Sequence, residues 1–269
     1  MAVTSRFSRN GAGALTDVRR QARIDLSQEQ LKFIETLNFA ARILDSEGLD
    51  RSSWMLIAGG GVFTYQLDHA ARNGISTVDR APTDVDIVVA NLERGGRHIL
   101  DVLRDRVPDL ETSIRTEPVH HFGHILKGPA LSIEPNGKPV PALPIDIITE
   151  LSQRYPADHK FKPSHDYIYP PTDKMLEHSL RISNPLIDGE NIQVAHPGFI
   201  AFYKLMLARN TEGKQDTDDL VRLKAMGMLE PSKNLGEVLQ VMCHSDVKLI
   251  MAIWQEINDL QMAKDAVRT

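Results

Sequence analysis

The chain has 269 residues, a formal net charge of −5 and one cysteine. This length buries a sizeable core, as one large domain or two modest ones. The single cysteine excludes an intramolecular disulfide and argues against a cysteine-based metal site. No apolar run comes near the roughly 20 residues that span a bilayer, and the negative charge disfavours a dedicated nucleic-acid surface. We therefore expect a cytoplasmic protein without membrane contact.

The start of the chain is basic. Residues 1–23 carry a single acid, Asp17, and no apolar stretch of the kind that a secretory signal needs. The arginines of this segment are Arg6, Arg9, Arg19, Arg20 and Arg23. We expect a flexible basic arm over residues 1–25. An organelle transit peptide and an arm that contacts RNA are the alternatives.

A helix and two strands are predicted next. Ser27 and Gln30 form a capping-box pattern, and apolar residues then recur at helical spacing, which predicts a helix over residues 28–46. The sequence "WMLIAGGG" at 54–61 indicates a short buried strand that ends in glycines, and a helix follows it. The sequence "DVDIVVA" at 84–90 predicts a second strand.

Beyond a further helix at 99–107, the pattern becomes β-like. The "PNGK" sequence at 135–138 carries the Asn-Gly signal of a tight hairpin, and residues 151–175 indicate a long connection. The chain is predicted to be helical from Pro197 onward, with a long last helix that begins at Ser245. The candidate strands are 113–116, 120–126, 130–135, 143–149, 179–183 and 191–195, and the last two are predicted to form a second hairpin.

These elements predict an α+β fold. A core with a mixed sheet is expected over residues 26–195, and a C-terminal helical domain over residues 196–269.

Two carboxylates alternate with apolar residues in the predicted strand at 84–90. Side chains two apart in a strand share a face, about 6.6 Å apart, so Asp84 and Asp86 point the same way while Val85 and Ile87 enter the core. Oxygen ligands at this spacing suit one or two Mg²⁺ ions, which also bind phosphate. Asp146, in a neighbouring candidate strand, adds a third acid for a two-metal site. Any half-exposed strand shows the same alternation, however.

The glycines at 59–61 separate the first predicted strand from its helix. Without side chains, the backbone there approaches a phosphate closely, and the helix N-terminus offers free N–H groups. A simple tight turn is the structural alternative.

A single lysine interrupts the apolar helix "PGFIAFYKLMLA" at 197–208. A helix that is apolar on nearly every face is expected to be buried, and a buried lysine needs an anion. A triphosphate beside the acids would serve for Lys204. Alternatively, its long side chain reaches the surface.

Acidic residues open the next predicted helix. Asp216 is a suitable N-cap, and Asp218 and Asp219 are favourable in a first helical turn. These acids therefore also have a purely structural explanation.

The order of strand, glycines, helix, Asp-x-Asp strand and later strand acid resembles the DNA polymerase β-type nucleotidyltransferase superfamily. The resemblance implies a nucleotidyltransferase core, with metal ligands and catalytic acids at three positions and a nucleotide bound at two glycines. The matching residues are Asp84, Asp86 and Asp146, and Gly60 and Gly61. "RAPTDVDI" also resembles an Arg-x-x-x-Asp-x-Asp run, which implies that Arg80 is in the nucleotide site. The 22 residues at 62–83 exceed the family's usual gap.

The helical half resembles the AbiEii-type toxin nucleotidyltransferases. These have a lysine in one helix, then an arginine, a Lys-Asp cluster and an Asp-Leu pair at the next helix. The corresponding residues are Lys204, Arg209, Lys214, Asp216 and Asp219, although Gln215 interrupts the usual Lys-Asp pair. The resemblance implies that Lys204 binds nucleotide phosphate, with Lys214 and Asp216 beside it. It also implies that Asp219, or Asp216, completes the active site as a catalytic residue.

The implied reaction uses Mg²⁺ or Mn²⁺ to move a nucleoside monophosphate from an NTP to an acceptor hydroxyl, releasing pyrophosphate. Asp146 would be the third acid, or the base toward that hydroxyl. The resemblance favours a toxin-type enzyme acting on tRNA or another cellular target, with an antitoxin protein as a further partner. The alternatives are an antibiotic-modifying nucleotidyltransferase with a small acceptor, and a catalytically silent nucleotidyltransferase fold that serves as a binding module.

Overall fold

The computed structural model describes residues 24–46, 51–89, 115–118, 124–133, 139–148, 172–183, 191–207, 215–243 and 246–267. The helices in these ranges are α1 (Gln28–Ser46), α2 (Ala58–Asn73), α3 (Thr172–Glu177), α4 (Pro197–Leu207), α5 (Asp216–Ala225), α6 (Lys233–Met242) and α7 (Val247–Val267). The strands are β1 (Trp54–Leu56), β2 (Val85–Val89), β3 (Arg115–Pro118), β4 (His124–Ile133), β5 (Pro139–Ile148), β6 (Leu180–Ser183) and β7 (Asn191–Val194). Helices and strands are mixed, as the predicted α+β class requires.

One mixed sheet contains the seven described strands, in the order β3-β4-β5-β2-β1-β7-β6. The strand β2 is antiparallel to β1 and parallel to β5, and β1 is parallel to β7. The outer pairs β3–β4, β4–β5 and β6–β7 are antiparallel. The strand with the predicted acids, β2, therefore lies inside the sheet with a partner on each side.

Both predicted hairpins have paired arms. The strands β4 and β5 run antiparallel up to the pair Ile133–Pro139, on either side of the predicted turn at 135–138, which itself lies outside the described residues. The separate strands predicted at 120–126 and 130–135 are one strand, β4, whose register shifts between Pro129 and Leu131. Proline lacks the N–H that a ladder needs, so the sequence there resembled a break.

Helix α1 has the predicted bounds and the predicted capping box. The amide of Ser27 donates to Gln30 Oε1 at 2.8 Å, and the amide of Gln30 donates to Ser27 Oγ at 3.3 Å. The side chains of Phe33 and Leu37 are fully buried, and Thr36 Oγ1 accepts a hydrogen bond from the amide of Leu143 in β5 at 3.2 Å. The helix is thereby fixed on the sheet next to β5.

The described chain beyond Pro197 is helical, as predicted, but two helix starts differ from the prediction. Asp216 is the first residue of α5 and not its N-cap, which is Gln215. Asp246 precedes α7, and its Oδ1 accepts from the amide of Leu249 at 3.2 Å. The predicted start, Ser245, lies outside the described residues.

Residues that precede position 196 and residues that follow it both contribute to the hydrophobic core. Fully buried members include Trp54 in β1, Ile87 in β2, Phe202 in α4 and Ile257 in α7. The division into two domains stays a prediction. None of the described helices is both long and apolar enough to cross a membrane. Three predicted segments lie wholly or mostly outside the described residues, namely the basic arm, the helix at 99–107 and the connection at 151–175.

Candidate functional site

The alternation of acid and apolar residues at β2 is confirmed. Asp84 immediately precedes the strand and Asp86 is its second residue, and both are partly buried. Val85 and Ile87 are fully buried. The hydrophobic core therefore accounts for one face of this strand, while both carboxylates belong to residues that keep some exposure to water.

Three predicted features meet in a row across the sheet. Asp86 pairs in register with Asp146 on the parallel strand β5. On the other side of β2, the amide of Ile57 donates to the carbonyl of Asp86 at 3.0 Å. Since Ile57 immediately precedes α2, the first turn of that helix begins beside Asp86, with Asp146 one strand further along the sheet.

The three glycines lie within the first turn of α2, where the sequence predicted a turn before the helix. Ala58 opens the helix with φ of 52°, in the left-handed region that a residue with a side chain adopts only under strain. The amide of Gly61 then makes a helical hydrogen bond to Ile57 at 3.0 Å. Ala58, Gly59 and Gly60 precede that bond, in the part of a helix where N–H groups lack intrahelical acceptors.

At each of the three glycines, a side chain from another part of the protein packs closely against the backbone. A Cβ on Gly60 would lie 2.8 Å from Phe33 Cζ, and one on Gly61 would lie 2.8 Å from Ile200 Cδ1. A Cβ on Gly59 would overlap the guanidinium of Arg80. Packing therefore explains why side chains are missing at 60 and 61, and the proposed contact of these glycines with phosphate stays a prediction.

A charged cluster of Arg80, Lys204, Asp216 and Asp219 is buried next to this turn, each residue being at most 6% exposed. Lys204 Nζ lies 2.7 Å from Asp219 Oδ2 and 3.2 Å from Asp216 Oδ1. Arg80 Nε lies 2.9 Å from Asp219 Oδ1. Two cations face two anions, which offsets the large penalty for removing each charge from water.

The cluster resolves the two alternatives for Lys204. Its side chain is buried and does not reach the surface, and its anions are carboxylates of α5. Both oxygens of Asp219 contact cations, and this residue is fully buried. All four predicted residues are thus brought together, with Arg80 linking them to Gly59.

A second layer of this cluster was not predicted. Arg222 Nε and Nη2 donate to the carboxylate of Asp79 at 3.1–3.2 Å. Arg222 Nη1 donates to Asp219 Oδ1 and to Gln215 Oε1, each at 3.0 Å. The available signal was local: Asp79 adjoins Arg80, and Arg222 follows Asp219 by three residues in the predicted helix.

The Asp79–Arg222 pair is ionised at neutral pH. Partial burial raises the pKa of Asp79, but hydrogen bonds from Arg222 and Gln66 outweigh it and hold the pKa below its ordinary value. Burial lowers the pKa of Arg222, and its bonds to Asp79 together with the charge of Asp219 raise it by more. Each partner therefore stabilises the charge of the other.

No ready-made metal group is present in the described part of the chain, where no three histidine, cysteine or acidic side chains are grouped to hold an ion. The side chain of Asp146, and all of Lys214 and Arg209, lie outside that part. The metal and catalytic roles of Asp84, Asp86 and Asp146 therefore stay predictions. The chain matches no protein-family model and no curated protein sequence. Its own residues are the basis for a proposed function.

Proposed function

We propose that the protein is a metal-dependent nucleotidyltransferase of the DNA polymerase β type. One observation carries the proposal: Asp86 lies between Asp146 on one neighbouring strand and Ile57, at the start of the glycine-bearing helix, on the other. A nucleotide donor needs metal ligands and an anion-binding helix terminus at one place.

The donor set fits a hard cation. Carboxylate oxygens, here from Asp84, Asp86 and Asp146, are the ligands that Mg²⁺ and Mn²⁺ prefer. When bound, such ions supply Lewis-acid stabilisation of the triphosphate. The ion would be held on the face of β2 that carries Asp84 and Asp86, since both residues keep some exposure to water.

The first turn of α2 would bind the triphosphate. Its early N–H groups and the positive end of the helix dipole favour an anion. Arg80 places its guanidinium against Gly59 in the same turn. Lys204 and Asp216 would contribute through the cluster that holds Arg80, with Lys214 as a further nucleotide contact, and Asp219 would complete the site.

The proposed reaction is a displacement at the α-phosphorus. The acceptor oxygen forms a bond to phosphorus, the bond to the bridging oxygen breaks, and pyrophosphate leaves. The proton of the acceptor hydroxyl passes to a base, which we propose to be Asp146.

For the acceptor we propose tRNA or another cellular molecule, with a small aminated molecule as the alternative. The arginines of residues 1–23 favour an RNA acceptor, because basic segments neutralise phosphates. An antitoxin protein is part of the toxin-type proposal. A catalytically silent fold would be expected to lack the acids, and Asp84, Asp86 and Asp146 are all present.

A thermal-shift screen tests the proposal. Wild type and Asp86→Asn are each heated with ATP, GTP, CTP or UTP, with and without Mg²⁺. We expect one nucleotide to raise the wild-type Tm only with Mg²⁺, since a ligand at 100 times its Kd adds about 2.7 kcal/mol. Asp86→Asn should lose this rise, and Asp259→Asn, an exposed acid on α7, should keep it. No rise with any nucleotide, or a rise that Asp86→Asn retains, would contradict the proposal.

A further inference from the structure

The segment 77–84 precedes β2 without regular secondary structure, and its first four residues are held one after another. Thr77 forms an isolated bridge with Asp25. The side-chain amide of Gln30 donates to the carbonyl of Val78 at 2.8 Å and to that of Arg80 at 3.0 Å. The capping residue of α1 thus also fixes the backbone that leads to Asp84.

Asp79 is held from two helices. Arg222 in α5 contacts both of its carboxylate oxygens, and Gln66 in α2 donates to its Oδ1 at 2.5 Å. The same Gln66 accepts from the amide of Arg80 at 3.1 Å. We name the ion pair of Asp79 and Arg222 the clasp.

The clasp continues into the buried cluster. Arg222 also donates to Asp219, which lies 2.9 Å from Arg80 Nε. Two residues of α5 therefore bind consecutive residues of the segment. Arg222 binds Asp79, which is exposed, and Asp219 binds Arg80, which is buried. Arg80 in turn lies against Gly59 in the first turn of α2.

The clasp is expected to contribute little to the stability of the fold. The side chain of Asp79 is 67% exposed, and an ion pair with such access to water contributes little to folding. What a forked guanidinium–carboxylate pair does supply is a fixed geometry. The segment that it fixes ends at Asp84, the first of the two proposed metal ligands.

We propose that Asp79 and Arg222 are positioning residues, whose clasp fixes the segment 77–84 and so presents Asp84 beside the first turn of α2. The consequence for nucleotide binding rests on the nucleotidyltransferase function proposed above. The fixing of the segment does not, because it is a property of the protein without ligand.

Amide hydrogen exchange tests the fixing. The variants are Asp79→Ala, Arg222→Gln, the double variant, and Arg72→Gln as a matched control that breaks the Arg72–Asp68 pair of α2. We expect exchange in residues 77–84 to rise about tenfold in each clasp variant and no further in the double variant. The control should leave this segment unchanged. Unchanged exchange in the clasp variants would overturn the inference.

Titration calorimetry with Mg²⁺ and the nucleotide chosen by the thermal screen tests the consequence. We expect a Kd about tenfold weaker in both single variants and in the double variant. Arg222→Lys keeps the charge but not the fork, and should weaken binding almost as much, which a purely electrostatic role would not produce. If wild type binds and the clasp variants bind equally well, the clasp proposal alone falls. If wild type binds no nucleotide, the nucleotidyltransferase proposal falls, and the exchange result still decides whether the clasp fixes the segment.

Discussion

Lys204 shows how far a residue's sequence context determines its surroundings. A lone lysine in an apolar helix predicted burial and an anion, and both are found. The sequence also named Arg80, Asp216 and Asp219. It did not predict that these residues pair with one another, because a spacing pattern carries no information about which distant groups meet.

Replacing Lys204 tests the cluster at this scale. In Lys204→Met the side chain keeps its approximate shape, but Asp216 and Asp219 lose a shared cation in a buried site. Removing one partner of a buried ion pair destabilises by about 3–5 kcal/mol, so the free energy of unfolding measured in urea should fall by about that amount. Lys233→Met, at a 91% exposed side chain, should stay within about 0.5 kcal/mol of wild type. A Lys204→Met midpoint equal to that of the control would exclude the cluster as a source of stability.

At the scale of elements, local signals were the reliable ones. The capping box at Ser27 and Gln30, the helical period of α1 and the two hairpins could be predicted because neighbouring residues determine them. The order of strands in the sheet could not, since β1 pairs with β7 through residues far apart in the chain. The clasp could not be predicted either, because Asp79 and Arg222 are 143 positions apart.

One side chain ties α2 to the strand β7. Tyr65 is fully buried, and its hydroxyl donates to the carbonyl of Ala195 at 2.8 Å, just after that strand ends. Burial raises the pKa of Tyr65 well above its ordinary value, so the hydroxyl remains a donor. The amide of Ala195 in turn bonds to Leu56 in β1 at 2.9 Å.

Tyr65→Phe should therefore destabilise the protein by about 1–3 kcal/mol, the penalty for a buried carbonyl that has lost its donor. Chemical denaturation of wild type and variant measures the difference. A variant as stable as wild type would mean that the carbonyl of Ala195 finds another donor.

For the molecule as a whole, pH dependence is expected from His196. This buried residue joins α4 to α6: its Nδ1 accepts from the amide of Gly198 at 3.1 Å, and its Nε2 lies 3.2 Å from the side-chain amide of Asn234. Burial, with a smaller effect from the charge of His178, lowers the pKa of His196 to about 4. An unfolded histidine has a pKa of about 6.5. Between these values the unfolded chain binds a proton that the folded protein does not.

Stability from this residue is therefore complete above about pH 6.5 and is lost as the pH falls toward about 4. The loss is on the order of 3 kcal/mol. As the pH falls across this range, we expect the free energy of unfolding, measured in urea, to decrease by more in wild type than in His196→Asn, whose side chain does not titrate. Carboxylates titrate in both proteins, so the difference in slope belongs to His196. Parallel pH profiles would show that another group is responsible.

The position of β1 between β2 and β7 also has a consequence for protein synthesis. One edge of β1 pairs with β2, which follows a short distance along the chain. The other edge pairs with β7, through Leu56 and Val194, which are far apart in the sequence. Gly61 likewise packs against Ile200, beyond that strand. A nascent chain on the ribosome therefore carries an open strand edge until most of its length has emerged. Such late pairing makes folding slow and the unfinished chain prone to association. The pairing of β7 with β1 should therefore be the step that ends the exposure of this strand edge.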